Sequence, residues 1–186
     1  MPVTNPLRFT LSVLLTTSLV ITTGCASLSE QECRDGDWSS IGYRDGQNGR
    51  PLSRLDEHRK ACLQYGMAPD ARAYGQARER GLNFYCTPAN GLAVGRRGEY
   101  YAGVCPSWAE TGFIINFNIG RDIYEARQRL ERLENDQRAL ETRLNKASEK
   151  GEIIRLSSQL RQLRMERDFA WDELRRREYR ADGLHF

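Results

Sequence analysis

The sequence predicts an all-α protein in which a small disulfide-stapled helical domain is followed by a long antiparallel helical hairpin that forms a coiled coil. Residues 119–180 carry apolar side chains at alternating intervals of four and three, which is the pattern of a coiled-coil seam. Four cysteines precede that region, and they indicate covalent staples. Convincing alternation of apolar and polar residues, which would indicate β-strands, does not occur in the sequence.

The N-terminal segment resembles the signal of a bacterial lipoprotein. An apolar stretch from Phe9 to Ile21 follows Arg8 and is too short to span a bilayer, which needs about 20 residues. The following Thr22-Thr23-Gly24-Cys25 resembles the lipobox, in which the cysteine is lipidated and becomes the new N-terminus. The alternative is an ordinary signal peptide cut at a neighbouring residue, which would leave Cys25 as a thiol.

This resemblance also implies an anchor and a location. It places three acyl chains on Cys25, and two or more chains hold a protein stably on a membrane. Ala26 follows the cysteine, where an aspartate often retains lipoproteins in the inner membrane. The resemblance therefore implies attachment to the periplasmic face of the outer membrane through lipid on Cys25.

Composition divides the chain into five segments. The Gly- and Tyr-rich part gives way sharply to a part that is dense in Leu, Arg and Glu. The segments are a lipoprotein signal peptide at 1–24, a lipidated tether at 25–35, a disulfide-stapled helical domain at 36–118, the coiled-coil hairpin at 119–180 and a tail at 181–186.

The cysteines after the anchor are Cys33, Cys62, Cys86 and Cys105. An even number in an exported chain indicates two disulfides. Three pairings are possible, and we favour 33 with 62 and 86 with 105 because each bridge closes a local loop. The spacings are wide, Cys-x-x-Cys is absent and the chain has two histidines, so we expect no metal site and no cofactor.

Glycines in the middle region follow a weak internal repeat. Positions i, i+4 and i+7 share one helical face, and small residues there let a second helix approach closely. We interpret the glycines as sites of helix packing. The alternatives are helix ends, with Gly49, Gly81 and Gly98 as C-caps, or a membrane-inserted helix pair, against which the neighbouring charges argue. The two glycine sets are Gly42, Gly46, Gly49 and Gly91, Gly95, Gly98, and they are followed loosely by Ala71, Gly75, Arg78 and Phe113, Phe117, Gly120.

Local signals predict the shorter helices. One helix is expected over Leu52–Tyr65 and another over Pro69–Arg80, stopping at Gly81, because proline suits a first helical turn. Thr87 followed by Pro88 is expected to cap a further helix. We interpret 113–119 as the start of the long helix rather than as a strand. The aromatic residues expected to pack in this domain are Trp38, Tyr43, Tyr74, Phe84, Tyr85, Tyr100, Tyr101 and Trp108.

The hairpin is predicted from two heptad seams whose registers do not match. A turn is expected between them at 145–151, with Ser148 as the N-cap of the second helix. The alternative is one continuous helix with a discontinuity. The first seam is Ile119, Ile123, Ala126, Leu130, Leu133, Gln137, Leu140, Leu144 and Ala147, and the second is Ile153, Leu156, Leu160, Leu163, Arg167, Ala170 and Leu174.

The combined layout resembles a family of bacterial envelope lipoproteins that is defined by a domain of unknown function. A Leu/Arg/Glu-rich hairpin follows the domain, as in that family. The resemblance implies a location and an architecture, and it implies no activity. It rests on Asp37-Trp38, Gly42-x-x-Asp45-Gly46, His58-x-x-x-Cys62, Tyr74-Gly75, Gly81-Leu82-x-x-Tyr85-Cys86 and Gly95-x-x-Gly98-x-x-Tyr101-x-x-x-Cys105.

Charge and motifs argue against two classes of function. The net charge of +3 gives no basic footprint for nucleic acid. A hydrolase needs a nucleophile, a base and an orienting acid. His58, Asp45, Asp37, Glu57 and several serines could supply these groups, but Gly-x-Ser-x-Gly does not occur. We interpret His58 as a hydrogen-bonded structural or surface histidine, and we expect no catalytic residue and no enzyme.

Two other classes fit the sequence better. We expect a non-catalytic structural or interaction protein that acts through a protein partner or through self-association of residues 119–180. The alternative is a module that binds cell-wall glycan or peptide, because Tyr and Trp stack on sugars and Arg pairs with carboxylates. An envelope hydrolase is a remote alternative.

Overall fold

The computed structural model describes residues 26–184 and confirms the all-α class. Cys25, the signal segment before it, His185 and Phe186 lie outside the described residues. Within 26–184 the chain forms seven α-helices and no strand. The helices are α1 (Glu30–Asp35), α2 (Trp38–Gln47), α3 (Arg54–Leu63), α4 (Ala71–Tyr85), α5 (Pro88–Arg96), α6 (Ser107–Lys146) and α7 (Lys150–Asp182).

Helices α2 and α4 touch backbone to backbone. Gly42 and Gly46 on α2 face Tyr74, Arg78 and Gly81 on α4. A Cβ atom at Gly42 would collide with the carbonyl oxygen of Tyr74, and one at Gly46 would collide with that of Arg78. This contact therefore requires glycine on α2, and the glycine repeat marks a helix packing site.

Helices α5 and α6 form a second contact of the same kind. Gly91 and Gly95 on α5 face Phe113, Phe117 and Gly120 on α6. A Cβ at Gly95 would collide with the carbonyl oxygen of Phe117. The residues on α6 repeat the four-then-three spacing found on α4, so the domain consists of two helix pairs built on one pattern.

Two details of the glycine interpretation need correction. Gly75 was grouped with the repeat, yet a Cβ there would meet open space, and the α4 contact is displaced by three residues along the helix. Gly81 does not end α4, which continues to Tyr85 because Gly81 lies against the backbone of α2. Gly49 and Gly98 do follow helix ends, with φ of 63° and 70°.

The segment expected as a tether is folded from Ser27 onward. Ser29 and Glu32 form a capping box that starts α1, and Leu28 is only 3% exposed in the domain core. Cys33 on α1 is bonded to Cys62 on α3, with the Cα atoms 5.4 Å apart. The prediction of a tether over 25–35 is therefore wrong for 27–35, because an apolar anchor, a disulfide and a capped helix fix it to the domain.

The second disulfide joins the two helix pairs. Cys86 follows α4 and pairs with Cys105 just before α6, at a Cα–Cα distance of 5.5 Å. Both bridges have the pairing that the local-loop argument favoured. A core of Leu82, Tyr85, Phe113 and their neighbours surrounds the second bridge.

Helices α6 and α7 form the antiparallel hairpin. Arg167 donates to the Gln137 side chain at 2.7 Å, and Arg127 donates to Glu178 at 2.8 Å. Gln137 and Arg167, the polar positions of the two predicted seams, therefore contact each other. The turn was expected to be capped by Ser148, which is wrong, since Glu149 occupies the N-cap of α7 and its side chain makes no capping bond.

Both ends of the hairpin continue into the domain. Helix α6 begins at Ser107, so the boundary expected at 119 falls inside a continuous helix that also belongs to the second helix pair. At the other end Ala181 is buried beside Leu92 and Ile123, and Arg96 bonds to Asp182 at 2.9 Å. Residues 181–184 are therefore packed rather than a free tail.

Candidate functional site

The structure brings together only some of the side chains considered for catalysis. Asp45 on α2 and His58 on α3 meet in the interior. Asp37 instead caps α2 by accepting from the backbone N–H of Ser40, and Glu57 pairs with Arg54 on the surface. The acid and the histidine that do meet belong to a larger buried network.

That network links four segments of the chain. His58 Nε2 lies 2.7 Å from Asp45 Oδ2, and the Tyr74 hydroxyl donates to the same oxygen at 2.8 Å. On the other side of the ring, His58 Nδ1 lies 2.9 Å from Ser27 Oγ. With an ionised Asp45 and a neutral ring, Nε2–H donates to the carboxylate and Nδ1 accepts from the serine hydroxyl.

The surroundings of the network are dry. His58 is 1% exposed, and Tyr74 is fully buried with its ring edge-on to the imidazole. Burial, followed by the hydrogen bond to Asp45, raises the pKa of the Tyr74 hydroxyl well above its ordinary value. A neutral phenol that donates to a buried carboxylate keeps that carboxylate satisfied, which such a site requires.

Ser27, His58 and Asp45 have the residue types of a hydrolase triad. The His58 ring, however, is shielded from solvent. A nucleophile must stand beside space for a substrate and beside donors for an oxyanion. The imidazole between the two groups is 1% exposed and lies edge-on to the buried Tyr74 ring. The network instead connects Ser27, at the start of the described chain, to helices α2, α3 and α4.

A polar cleft of about 730 Å³ lies where the two helix pairs meet. The turns that follow α2 and α5 form its walls, and Arg50, Arg97 and Tyr100 line it. Tyr100 is 86% exposed, while Arg97 is held by Glu99 at 2.5 Å. Tyr100 was expected in the packed core together with Phe84 and Trp108. All three are exposed, which corrects that expectation.

The outer face of α7 carries a row of exposed apolar side chains. Ile154, Met165, Phe169 and Tyr179 are all more than half exposed. They lie opposite the seam that packs on α6. The corresponding outer face of α6 mixes charged and uncharged residues, with Arg132 among its exposed residues.

Sequence reasoning missed two members of the buried network. Ser27 was assigned to the tether, although Ser29 with Glu32 three residues later is the capping-box pattern that predicts a helix start. Tyr74 is expected from the sequence to pack in the domain and forms part of a motif, but a hydrogen bond from its hydroxyl to Asp45 is not expected. Its role depends on the contact of α2 with α4, which the spacing of residues in the sequence does not give.

The described residues contain neither a metal-binding cluster nor a membrane-spanning helix. Between Ala26 and Leu184 no group of three His, Cys, Asp or Glu side chains is arranged to hold a metal ion. None of the helices in this range is both long and apolar enough to cross a membrane.

A comparison with protein-family models finds a match over the helical domain. A comparison with curated proteins and one with solved structures each found no match. The family-model match begins at the N-cap of α2 and ends within α6, so it covers both helix contacts and the cleft between them. Residues 37–122 match the family model described as Protein of unknown function (DUF2799), so this part of the chain resembles a family defined by a domain of unknown function.

Proposed function

We propose that this protein is a lipoprotein anchored through Cys25 on the periplasmic face of the outer membrane, where it acts as a non-catalytic structural or interaction protein. The observation that carries the proposal is the contrast between its two ends. The chain just after the anchor is clamped to the domain, and the other end offers a hairpin with an uncovered apolar row. A molecule with this arrangement is suited to presenting an interaction surface near a membrane.

The clamp supports the anchoring part of the proposal. Only Ala26 separates Cys25 from Ser27, whose hydroxyl bonds to His58. Leu28 is buried directly afterwards. A lipid on Cys25 would therefore hold the domain close to the bilayer, and the hairpin, whose α7 is 33 residues long, would set how far the protein reaches.

The non-catalytic part of the proposal rests on the buried network. The histidine and aspartate that come together are used to join four segments of the chain, and the serine beside them is fixed by the same contacts. An envelope hydrolase would need its substrate to reach the His58 ring, which is 1% exposed. We therefore assign binding, rather than bond cleavage, to the protein.

In-cell photo-crosslinking tests this proposal. A photoreactive residue replaces Arg161 on the outer face of α7, or Arg132 on the outer face of α6, in separate variants with Cys25 intact. We expect a discrete adduct from position 161 and a much weaker one from position 132. Absence of any adduct at either position, with normal amounts of protein in the membrane fraction, would contradict an interaction role for the hairpin.

The polar cleft favours a second candidate, a module that binds cell-wall glycan or peptide. Arg50 makes no ion pair among the described residues, so its guanidinium is available to a carboxylate, and Tyr100 offers a flat face beside it. Sedimentation of the full chain carrying Cys25→Ser with purified cell wall tests this candidate. Tyr100→Ala should abolish pelleting, and Tyr179→Ala, an equally exposed tyrosine outside the cleft, should not.

A further inference from the structure

We infer that the outer face of α7 binds a second copy of this chain, in an antiparallel arrangement with a two-fold axis near the Glu166–Arg167 peptide. This inference rests on the proposed interaction role of the hairpin and names the partner. It follows from the order of apolar and charged residues along one exposed helical face.

The residues concerned share one face of α7. At about 100° of rotation per residue, Ile154, Arg161, Met165, Asp172 and Tyr179 project within about 40° of one another. Asp168 and Arg176 flank this group on either side, and Phe169 lies just beyond Arg176. The buried residues of the seam, such as Leu156 and Ala170, project in the opposite direction. The face extends over about 38 Å, so it can form an interface along most of the helix.

The face is self-complementary when read in opposite directions. Ile154 and Tyr179 lie equally far from the Glu166–Arg167 peptide, and so do Arg161 and Asp172. Met165 and Phe169 lie on either side of Arg167. In a two-fold interface residue i meets residue j while j meets i, so this register pairs Ile154 with Tyr179 and Arg161 with Asp172. It also brings Met165 to within one residue of the position opposite Phe169 of the second copy.

Charge selects this arrangement over a parallel one. In a parallel pair Arg161 would face Arg161 and Asp172 would face Asp172, and like charges in register are unfavourable. The groups are also available. Arg161 makes no ion pair among residues 26–184, and Asp172 has only a long contact of 3.9 Å with Arg175. The outer face of α6 mixes charged and uncharged residues, among them Arg132, Asn135 and Ala139, and it exposes no row of large apolar side chains between 121 and 146.

A charge-swap experiment tests the inference. The full chain carrying Cys25→Ser is exported so that its disulfides form, and its association is measured by sedimentation equilibrium up to about 1 mM, where a Kd of 1 mM corresponds to about 4 kcal/mol. We expect a monomer–dimer equilibrium. Arg161→Asp and Asp172→Arg should each weaken association at least 10-fold, because each places like charges opposite one another twice.

An equimolar mixture of the two variants should recover the association, since every introduced carboxylate then faces an introduced guanidinium. Arg132→Asp makes the same charge change on α6 and should leave association unchanged. A wild-type chain that stays monomeric, or a mixture that associates no better than its components, would overturn the inference. If the Arg161 crosslink then yields an adduct with a different protein, the proposed function stands while self-association fails.

Discussion

Gly46 and Gly95 show how single residues define the helical domain. Each allows its helix to lie against the carbonyl oxygen of a partner helix, and each occupies the same place in one of the two helix pairs. A glycine inside a helix costs about 1 kcal/mol relative to alanine. The close approach offsets that cost, so the glycines are required by packing rather than by flexibility.

A matched pair of substitutions tests this role. Gly46→Ala should lower the free energy of unfolding by about 1–3 kcal/mol or more, because the added methyl overpacks the contact with Arg78. Gly75→Ala lies inside α4 facing open space and should raise stability by about 0.5–1 kcal/mol. Urea denaturation of both variants measures the difference, and equal effects would contradict the packing role.

Tyr74 is expected to make the stability of the protein depend on pH in the alkaline range. Its pKa is raised above the ordinary value of 10.0, first by burial and then by the hydrogen bond to Asp45. Because the folded pKa is the higher one, the stabilisation is fully present below the unfolded pKa and is lost as pH rises through it towards the folded pKa.

Tyr74→Phe should therefore lower stability by about 1–3 kcal/mol near neutral pH, since it removes one of the two hydrogen-bond partners of the buried Asp45 Oδ2. The difference from the wild type should shrink above pH about 10. Unfolding by urea across that range is the measurement, with the exposed Tyr100→Phe as control. A difference that is constant with pH would show that the hydroxyl contributes no such linkage.

The residue scale also shows the limit of prediction from sequence. The glycines on α2 and α5 could be found by spacing, because they repeat at fixed intervals. Their partners on α4 could not, since Ala71, Gly75 and Arg78 have the same spacing as the true set three residues further along. Only the packed structure decides which face of α4 meets α2.

At the scale of elements, the hairpin contains a polar contact within its apolar seams. Gln137 and Arg167 interrupt the two apolar seams and bond to each other at 2.7 Å. A polar pair inside a seam costs stability and fixes the register of the two helices. The pair therefore explains how two Leu-rich helices adopt one antiparallel alignment.

A double-mutant cycle measures that contact. Gln137→Leu and Arg167→Leu should each lower the free energy of unfolding. The double variant should lose less than the sum of the two single effects, with a coupling of about 0.5–3 kcal/mol. The more exposed pair Arg127 and Glu178, at 2.8 Å, is the control and should show less than about 1 kcal/mol. Equal coupling in the two cycles would contradict a role for the seam pair in register.

Helix type and order were predictable at this scale, whereas helix ends were not. Thr87 and Pro88 begin α5 as their pattern indicates, with the Thr87 hydroxyl accepting from Asn90. Ser148 has the right residue type for an N-cap but lies outside α7, because the turn closes one residue later. The start of α1 was missed although Ser29 and Glu32 carry the capping-box pattern.

At the scale of the whole molecule, the first described residues are held against the helical domain. Ser27, Leu28 and Cys33 are each tied to the domain by a different interaction: a hydrogen bond, burial and a disulfide. Composition suggested a polar tether there. Composition could not reveal the burial of one leucine, which depends on the groove formed by Trp38, Leu55 and their neighbours.

Proteolysis tests this clamp. Leu28→Ser should release the segment and accelerate tryptic cleavage after Arg34, because removing a buried leucine side chain costs about 2–5 kcal/mol. Ala26→Ser introduces the same residue at an exposed position just before the clamp and should leave the rate unchanged. Cleavage is followed on reducing gels, since the Cys33–Cys62 bridge holds the fragments together. Similar rates for both variants would contradict the clamp.

Anchoring through Cys25 is the claim on which the proposed role depends most. The most direct test is the intact mass of the full-length protein extracted from cell membranes. The account predicts a chain that begins at Cys25 and carries the added mass of three acyl chains. A chain that begins at another residue, or an unmodified Cys25, would contradict it.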